Sequence, residues 1–196
     1  LTLVTDSDPF ALEQYSFIKT ALSSNPNMNY SQRILMQGED RVWLLNNKGK
    51  KSGELTWAQI VIPNNYLHSN WPIRLVSLSR DGTHIAVAGR RGLAIYNCQS
   101  SSWKMFFDPV EEQSLACQTI CWYKSAIVVT AFDEITKNYE VIFYHRNSLS
   151  KTTALSRINL PNNSRPTYVD CNDRYLIIFT SDSSFYQYEI ESIAEG

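Results

Sequence analysis

Glycine and proline are scarce in this chain of 196 residues, at seven each. Their scarcity excludes collagen-like repeats and low-complexity segments, because both are rich in these residues. No apolar run approaches the roughly 20 residues that a membrane-spanning helix needs. Apolar residues make up 43% of the chain and charged residues 19%. This composition is instead typical of a soluble globular protein with one domain or two small ones.

The chain also has no excess of positive charge, since its formal net charge is −1. Nucleic-acid binding requires many unpaired Lys and Arg residues to neutralise phosphates, so we expect no nucleic-acid partner. The same balance gives no long-range attraction to an anionic membrane. The chain begins LTLVTDSD, without methionine and without a basic-then-apolar signal segment. We therefore expect a piece of a longer polypeptide from a cytosolic protein.

Cysteine and histidine are few and scattered along the chain. The cysteines lack the close-spaced framework of a small secreted domain, which indicates a reducing compartment. Cys117 and Cys121 have the spacing of half a zinc site, but a structural zinc site needs four ligands and no second pair follows. Cys98 and Cys171 stand apart from them in sequence. We expect these side chains to be buried, and we expect neither a metal nor another cofactor.

The sequence offers no clear catalytic site. There is no G-x-S-x-G motif of a serine hydrolase, and GRRG at residues 89–92 is too short for a phosphate-binding loop. His84 belongs to a hairpin, and SRDG at residues 79–82 is only faintly similar to the Asp-box turns of sialidase propellers. A glycosidase would need converging carboxylates, and among the first strands of the repeats PTYVDC contributes only Asp170. We predict a non-enzymatic binding module, with a propeller enzyme as the weaker alternative.

Short strands separated by turns dominate the chain after residue 70. The first set consists of IRLVSLS, HIAVAG, LAIYN and SWKMFF, with a two-residue hairpin turn predicted at Asp81 and Gly82. A second set consists of QTICWYK, SAIVVTAF, YEVIFYHR and TALSRINL, and most of a third consists of PTYVDC, RYLIIFTS and SFYQYEIE. The second strands begin near Ile85, Ala126 and Tyr175, and a spacing of about 40 to 50 residues is typical of propeller blades.

The apolar pattern favours a propeller over a sandwich. Strands of a sandwich alternate apolar and polar residues, because one face meets water. Here IAVA, AIVV and YLIIF are apolar at consecutive positions, which indicates burial on both faces. Small residues would let a neighbouring blade approach closely: Ala86, Ala88 and Ala94. We also expect four aromatic residues to lie mostly in the core: Trp71, Trp103, Trp122 and Tyr123.

We therefore predict an all-β, WD-repeat-like β-propeller. It is expected to be partial, with about three to four four-stranded antiparallel blades, whereas closed rings usually have about four to eight. Residues 70–196 hold the consecutive blades, at about 70–115, 116–161 and 165–196. Residues 1–69 are interpreted as an incomplete blade with a helical insertion, in which RVWLLNN and TWAQIVIP are strands flanking the polar loop KGKKSGE.

The helical insertion is predicted over residues 9–22. Asp8 is suited to the N-cap and Pro9 to the first helical position. Apolar residues then recur at helical spacing: Ala11, Tyr15, Ile18 and Leu22. Two interpretations of the apolar stripe stay open: it either packs against the host domain or binds a partner protein.

Arg90 and Arg91 are the candidate partner-binding residues. They occupy the tip of the turn GRRG between two predicted strands. A hairpin tip is usually solvated and needs no partner. Alternatively, two adjacent guanidiniums bind a carboxylate-rich partner, because the planar guanidinium matches the geometry of a carboxylate.

One part of the chain resembles a known family. The residues concerned are NWPI at 70–73, IAVAGRRGLAIYN at 85–97, SWKMFF at 102–107, EEQSLAC at 111–117 and CWY at 121–123. Together they are similar to the ribosome control protein one (Ric-one) family, over residues 70 to about 190. A VAGRRGLA run between two hairpin strands is unusual among propeller repeats, whose turn normally carries Asp or Asn. Ordinary repeats also end this strand in Trp-Asp, where this chain has Tyr96 and Asn97.

The resemblance implies a function in membrane traffic. Proteins of this family carry WD-type propellers followed by a long helical part, and they are the larger subunit of a two-subunit guanine-nucleotide exchange factor. The implied partners are an arrestin-like second subunit and a Rab-type GTPase of the Rab-six or Ypt-six kind. Their implied role is GDP release in retrograde endosome-to-Golgi traffic, with the protein cytoplasmic and peripheral at the Golgi membrane. We expect this segment to be a protein-binding scaffold, and the alternative is a vesicle-coat or tethering propeller without exchange activity.

Overall fold

The computed structural model describes residues 2–5, 8–14, 34–46 and 56–191. The first two strands, β1 (Thr2–Thr5) and β2 (Asp8–Gln14), form an antiparallel pair. The helix predicted over residues 9–22 is therefore wrong for the part up to Gln14, and residues 15–22 lie outside the described residues. This segment forms a strand because β2 pairs with β1 from Gln14 to Asp8. Strand pairing outweighs the weak helix propensity that the apolar spacing indicated.

Blade 1 is an antiparallel sheet of three strands. They are β3 (Leu35–Gln37), β4 (Arg41–Asn46) and β5 (Thr56–Val61), in that order. The strands predicted from RVWLLNN and TWAQIVIP are thus confirmed, while the predicted polar loop KGKKSGE between them lies entirely outside the described residues. A short helix, α1 (Asn64–Asn70), follows and buries Tyr66 and Asn70.

Blade 2 has four strands in sequence order. They are β6 (Leu75–Leu78), β7 (His84–Ala88), β8 (Ala94–Asn97) and β9 (Ser102–Met105). Asp81 and Gly82 lie in the turn between β6 and β7, where Gly82 has a φ of +67°. The loop is longer than the two residues predicted, because Ser79 N donates to the carbonyl of His84 at 2.8 Å and leaves residues 80–83 outside the ladder.

Blade 3 is preceded by a second helix, α2 (Pro109–Ser114), which the sequence analysis did not predict. Asp108 caps it by accepting a hydrogen bond from Val110 N at 2.8 Å, and Pro109 occupies its first turn. The four strands are β10 (Leu115–Tyr123), β11 (Ala126–Asp133), β12 (Asn138–His145) and β13 (Ser156–Asn159).

Blade 4 has three strands among the described residues. They are β14 (Pro166–Cys171), β15 (Tyr175–Thr180) and β16 (Phe185–Glu189). The second strands of blades 2 to 4 begin at His84, Ala126 and Tyr175, close to the predicted positions. Within the described ranges, no helix has the length and apolar character to cross a membrane.

The middle strands of blades 2 and 3 are buried on both faces, as the consecutive apolar residues of IAVA and AIVV predicted. The same prediction for YLIIF is wrong, because β15 is buried on one face only and leaves Phe179 43% exposed on the other. Along β7, Ala86 and Ala88 pack into the core between blades 2 and 3, whereas Ile85 and Val87 pack towards blade 1. Along β11, Ile127 and Val129 join the core with blade 2, whereas Val128 joins the core with blade 4. Val87 and Val128 are both 0% exposed. The blades therefore stack side by side, as in a propeller.

The first strands of the blades are neighbours. β10 packs against β6 on one side and β14 on the other, and β3 packs against β6. Trp122 Nε1 on β10 donates across this boundary to the carbonyl of Ser77 on β6 at 3.0 Å. The fold is a partial β-propeller of fan-like blades, in agreement with the prediction.

Two of the four aromatic residues expected in the core are fully buried. Trp122 and Tyr123 are closed off from solvent, and Trp103 is half-buried against Tyr96. Trp71 is 53% exposed, so its predicted burial is wrong. Trp71 directly follows the last residue of α1, and its backbone is extended, so the chain turns away from the helix at this residue.

Candidate functional site

The turn at residues 89–92 joins β7 to β8 and requires both of its glycines. A Cβ on Gly89 would lie 1.8 Å from the carbonyl oxygen of Asn70, which is far inside van der Waals contact. Gly92 has a φ of +67°, and a Cβ there would lie 2.4 Å from Cγ of Glu112. The turn is therefore packed tightly between the end of α1 and the α2 helix.

Hydrogen bonds that involve the end of α1 and the α2 helix anchor this turn. Asn70 accepts from Arg90 N at 2.8 Å through its carbonyl, and its side-chain amide donates to Glu112 Oε1 at 2.5 Å. Gln113 Nε2 donates to Asn70 Oδ1 at 3.3 Å. Burial raises the pKa of Glu112, against the opposing effect of the Asn70 hydrogen bond. The backbone that carries the two arginines is thus anchored by α1, which precedes blade 2 in the chain, and by α2, which follows it.

Tyr66 adds a further anchor on the same turn. Its hydroxyl accepts from Gly89 N at 3.0 Å and donates to the carbonyl of Arg91 at 3.3 Å. The residue is 1% exposed, and burial raises the pKa of its hydroxyl well above the usual range. The hydroxyl therefore stays protonated and keeps both hydrogen bonds at any ordinary pH.

The two arginines have different surroundings. Arg91 Nη2 lies 2.8 Å from Glu134 Oε1, and Glu134 belongs to the turn between β11 and β12 of blade 3. Lys137 lies 3.0 Å from the other oxygen of Glu134. The hydrogen bonds from Arg91 and then Lys137 lower the pKa of that carboxyl. Arg91 thus links two blades, whereas Arg90 is exposed. Partner binding at these two residues stays a prediction.

A polar cleft of about 400 Å³ lies beside this turn. We call it the arginine cleft and define it by six of its lining residues: Arg74, Arg90, Arg91, Gln118, Glu134 and Arg165. Arg74 immediately precedes β6 and Arg165 immediately precedes β14. The starts of these strands lie at the same end of the blades as the β7–β8 turn, because neighbouring strands within each blade are antiparallel.

Arg74 and Arg165 were not predicted from the sequence as site residues. Each is an isolated arginine, and Arg165 in particular is far along the chain from Arg90. The signal that could have found them is position, since each stands directly before the first strand of a blade. Arg165 is ordered by Gln118, whose Oε1 accepts from Arg165 Nε at 2.9 Å.

Three of the four cysteines are buried as predicted, whereas Cys98 is only half-buried, so its predicted burial is wrong. Cys117 and Cys121 are buried as predicted, but they belong to different cores on the two sides of blade 3. Cys171, which is distant in sequence, places its Sγ 3.4 Å from Sγ of Cys121, because β10 and β14 are neighbouring first strands. In the part of the chain that the structure describes, no group of three or more His, Cys, Asp and Glu side chains could hold a metal ion.

The other polar residues singled out in the sequence stabilise turns. Asp81 accepts from Ser79 Oγ at 2.6 Å and from Thr83 N at 3.0 Å. Burial opposes ionisation of Asp81, but these hydrogen bonds prevail and lower its pKa to about 2. Burial lowers the pKa of His84, whose Nδ1 lies 2.7 Å from Thr83 Oγ1. The carboxylate of Asp170 accepts from the backbone of Cys171 at 2.8 Å. These contacts fit ordinary hairpin and strand-end residues.

A family model identifies the protein family to which this chain belongs. The model of the RIC1 second beta propeller domain matches residues 31–195. The chain belongs to the RIC1 family. The matched range includes the whole arginine cleft and all four blades. The resemblance read from the residues around the GRRG turn is therefore confirmed.

Named relatives within the RIC1 family are exchange-factor subunits. The guanine nucleotide exchange factor subunit RIC1 of Homo sapiens is 25% identical over 93% of this chain. The guanine nucleotide exchange factor subunit ric1 of Schizosaccharomyces pombe is 29% identical over 92% of it. This chain spans 15% of the human relative and 18% of the yeast relative.

Solved structures share the propeller fold of this RIC1-family chain. A chain in the crystal structure of the mitotic checkpoint complex superposes with a TM-score of 0.60 at 12% identity, covering 84% of this chain and 45% of that one. The computationally designed Ika4 protein gives a TM-score of 0.57 at 11% identity, covering 91% of this chain and 95% of that one. At such low identity these similarities show the fold alone.

Proposed function

We propose that this chain is a propeller segment of the larger subunit of a Golgi guanine-nucleotide exchange factor complex. The observation that carries the proposal is the match of residues 31–195 to a propeller domain of a family whose named members are exchange-factor subunits. The segment acts as a protein-binding scaffold within that complex, rather than as an enzyme.

The stacking of the blades supports a scaffold role. Blades 2 and 3 bury both faces of their middle strands, so that only strand ends, turns and outer edges are left for contact with other proteins. The turn at residues 89–92 is anchored from both α1 and α2, and it presents Arg90 to solvent on a fixed backbone. The proposed scaffold role uses these strand ends and turns as the surfaces that contact partner proteins.

The partners proposed for the complex are an arrestin-like second subunit and a Rab-type GTPase of the Rab-six or Ypt-six kind. The complex would bind the nucleotide-free GTPase more tightly than the loaded one, so that affinity for GDP falls by the same factor. Its activity would serve retrograde endosome-to-Golgi traffic, with the protein cytoplasmic and held peripherally at the Golgi membrane through the complex.

Affinity purification of the whole-length subunit that contains this segment tests the proposal. We expect an arrestin-like protein and a Rab-type GTPase to co-purify, with the GTPase retained best after nucleotide removal by a chelator of magnesium. Recovery of vesicle-coat or tethering subunits without either partner would replace the exchange-factor assignment by that of a coat or tethering scaffold.

A further inference from the structure

We propose that the arginine cleft is a binding site for an acidic peptide segment of a partner protein. This inference goes beyond the proposed function, because it assigns a site and a ligand class and does not depend on nucleotide exchange. It also changes the site predicted from the sequence, since Arg74 and Arg165 join Arg90, while Arg91 is engaged with Glu134.

The positive charge of the cleft is local and largely uncompensated. Within the described residues, no carboxylate lies at ion-pair distance from Arg74, Arg90 or Arg165. The one acidic residue lining the cleft, Glu134, is already paired with both Arg91 and Lys137. The chain as a whole carries a formal net charge of −1, so this concentration of arginine is not a general property of its surface.

The three arginines that form no ion pair within the described residues stand before β6, in the β7–β8 turn and before β14, and they are partly preorganised. Arg90 is carried by the anchored turn, and Arg74 N donates to the carbonyl of Ala88 at 2.8 Å, which fixes the start of β6. Arg165 is held by Gln118 on blade 3. The Arg165 guanidinium is therefore already positioned and loses less conformational freedom on binding a carboxylate, whereas Arg74 and Arg90 are fixed at their backbones.

The size of the cleft argues for a chain with several carboxylates over a single ion. A cavity of about 400 Å³ is within the range of pockets that hold organic ligands, and one phosphate or chloride would leave most of it to water. A peptide in which acidic residues recur can give each arginine its own carboxylate. Basic clusters that bind membranes generally hold about four to eight cations, whereas three arginines without an ion pair line this cleft.

Fluorescence anisotropy with the 196-residue chain tests the inference. The probes are a labelled peptide of alternating glutamate and glycine, and the same peptide with glutamine in place of glutamate. We expect the glutamate peptide alone to bind, with affinity falling as ionic strength rises to the physiological range. Each of Arg74→Gln, Arg90→Gln and Arg165→Gln should weaken binding about two- to fivefold, and the triple variant about tenfold or more.

Arg174→Gln is the charge control, because it removes one arginine at the opposite end of blade 4, beyond β14, where Arg174 is paired with Glu189 at 2.8 Å. It should change the affinity less than about twofold. Thermal unfolding of each variant should show an unchanged midpoint, since all three cleft arginines are exposed. Equal binding of both peptides, or equal loss with Arg174→Gln, would overturn the inference. So would arginine-dependent binding to phosphatidylserine vesicles without binding of the glutamate peptide, which would assign the cleft to a lipid surface.

Discussion

The side-chain amide of Asn70 donates to the carboxylate of Glu112 across 42 residues of sequence. This hydrogen bond joins the end of α1 to α2 and lies against the turn that contains Gly89 and Gly92. Three sequence motifs that resemble the family, NWPI, GRRG and EEQS, are thereby parts of one corner of blade 2. Their joint presence has a physical reason, because Gly89 packs against Asn70 of NWPI and Gly92 packs against Glu112 of EEQS.

Replacing Gly89 with alanine should destabilise the protein by about 1–3 kcal/mol or more, as overpacking of a buried site does. The added methyl would lie 1.8 Å from the carbonyl oxygen of Asn70, a backbone atom that cannot move aside easily. Urea unfolding measures the effect. Gly82→Ala is the control, since there the positive φ alone should cost about 1 kcal/mol. Equal or smaller loss at Gly89 would contradict the packing described.

Glu112→Gln should make the protein more stable at neutral pH. Burial raises the pKa of Glu112 above its ordinary value of 4.5, so the folded state disfavours the charged form. The free energy of unfolding of the natural protein therefore falls as pH rises from about 4.5 through the raised pKa. Glutamine removes the charge and keeps an oxygen that accepts from Asn70.

The advantage of the Glu112→Gln variant should consequently shrink as pH is lowered through this window, and it should become constant below it. Denaturant unfolding at a series of pH values measures the difference between the two proteins. An advantage that grows towards low pH would have the opposite sign and would refute a raised pKa at Glu112.

The two faces of β15 should respond differently to substitution. Ile178 is 0% exposed in the core between blades 3 and 4, so Ile178→Ala should cost about 2–5 kcal/mol. Phe179 is 43% exposed on the other face, beside Tyr168 and Phe185, and Phe179→Ser should cost less than about 1 kcal/mol. Shifts of the urea midpoint at constant slope measure both values. A comparable cost at Phe179 would show that the outer face of blade 4 is also packed.

Arg91 and Glu134 should be energetically coupled, whereas Arg90 and Glu134 should not. A double-mutant cycle of Arg91→Ala with Glu134→Ala should give a coupling of about 0.2–1 kcal/mol, because both side chains are about one-third exposed. The parallel cycle with Arg90→Ala should give a value near zero. Equal coupling in both cycles would mean that the two adjacent arginines share Glu134.

The stacking of blades could be predicted from sequence because runs such as IAVA and AIVV leave no polar residue for a solvent-facing side. The helices could not be assigned as reliably. The same Asp-Pro signal occurs at Asp8 and at Asp108, yet the structure forms a strand after the first and a helix after the second. The difference lies in β1, which pairs with the segment after Asp8, and such pairing is not visible in local spacing.

The candidate site was only partly predictable for a similar reason. The turn with Arg90 and Arg91 stands out as a motif, whereas Arg74 and Arg165 come near it only because first strands of neighbouring blades are adjacent. The same adjacency brings Cys121 to Cys171. Contacts between blades depend on the arrangement of whole sheets, so they cannot be predicted from residue spacing within one repeat.

Release of fluorescent GDP from a loaded Rab-six-type GTPase tests the central claim most directly. The release rate is compared for the GTPase alone, with the 196-residue chain, and with the proposed complex of the whole larger subunit and an arrestin-like second subunit. The scaffold account predicts acceleration by the complex and the intrinsic rate with the chain. Acceleration by the chain alone would show that it acts on the nucleotide site itself, and no acceleration by the complex would contradict the exchange function.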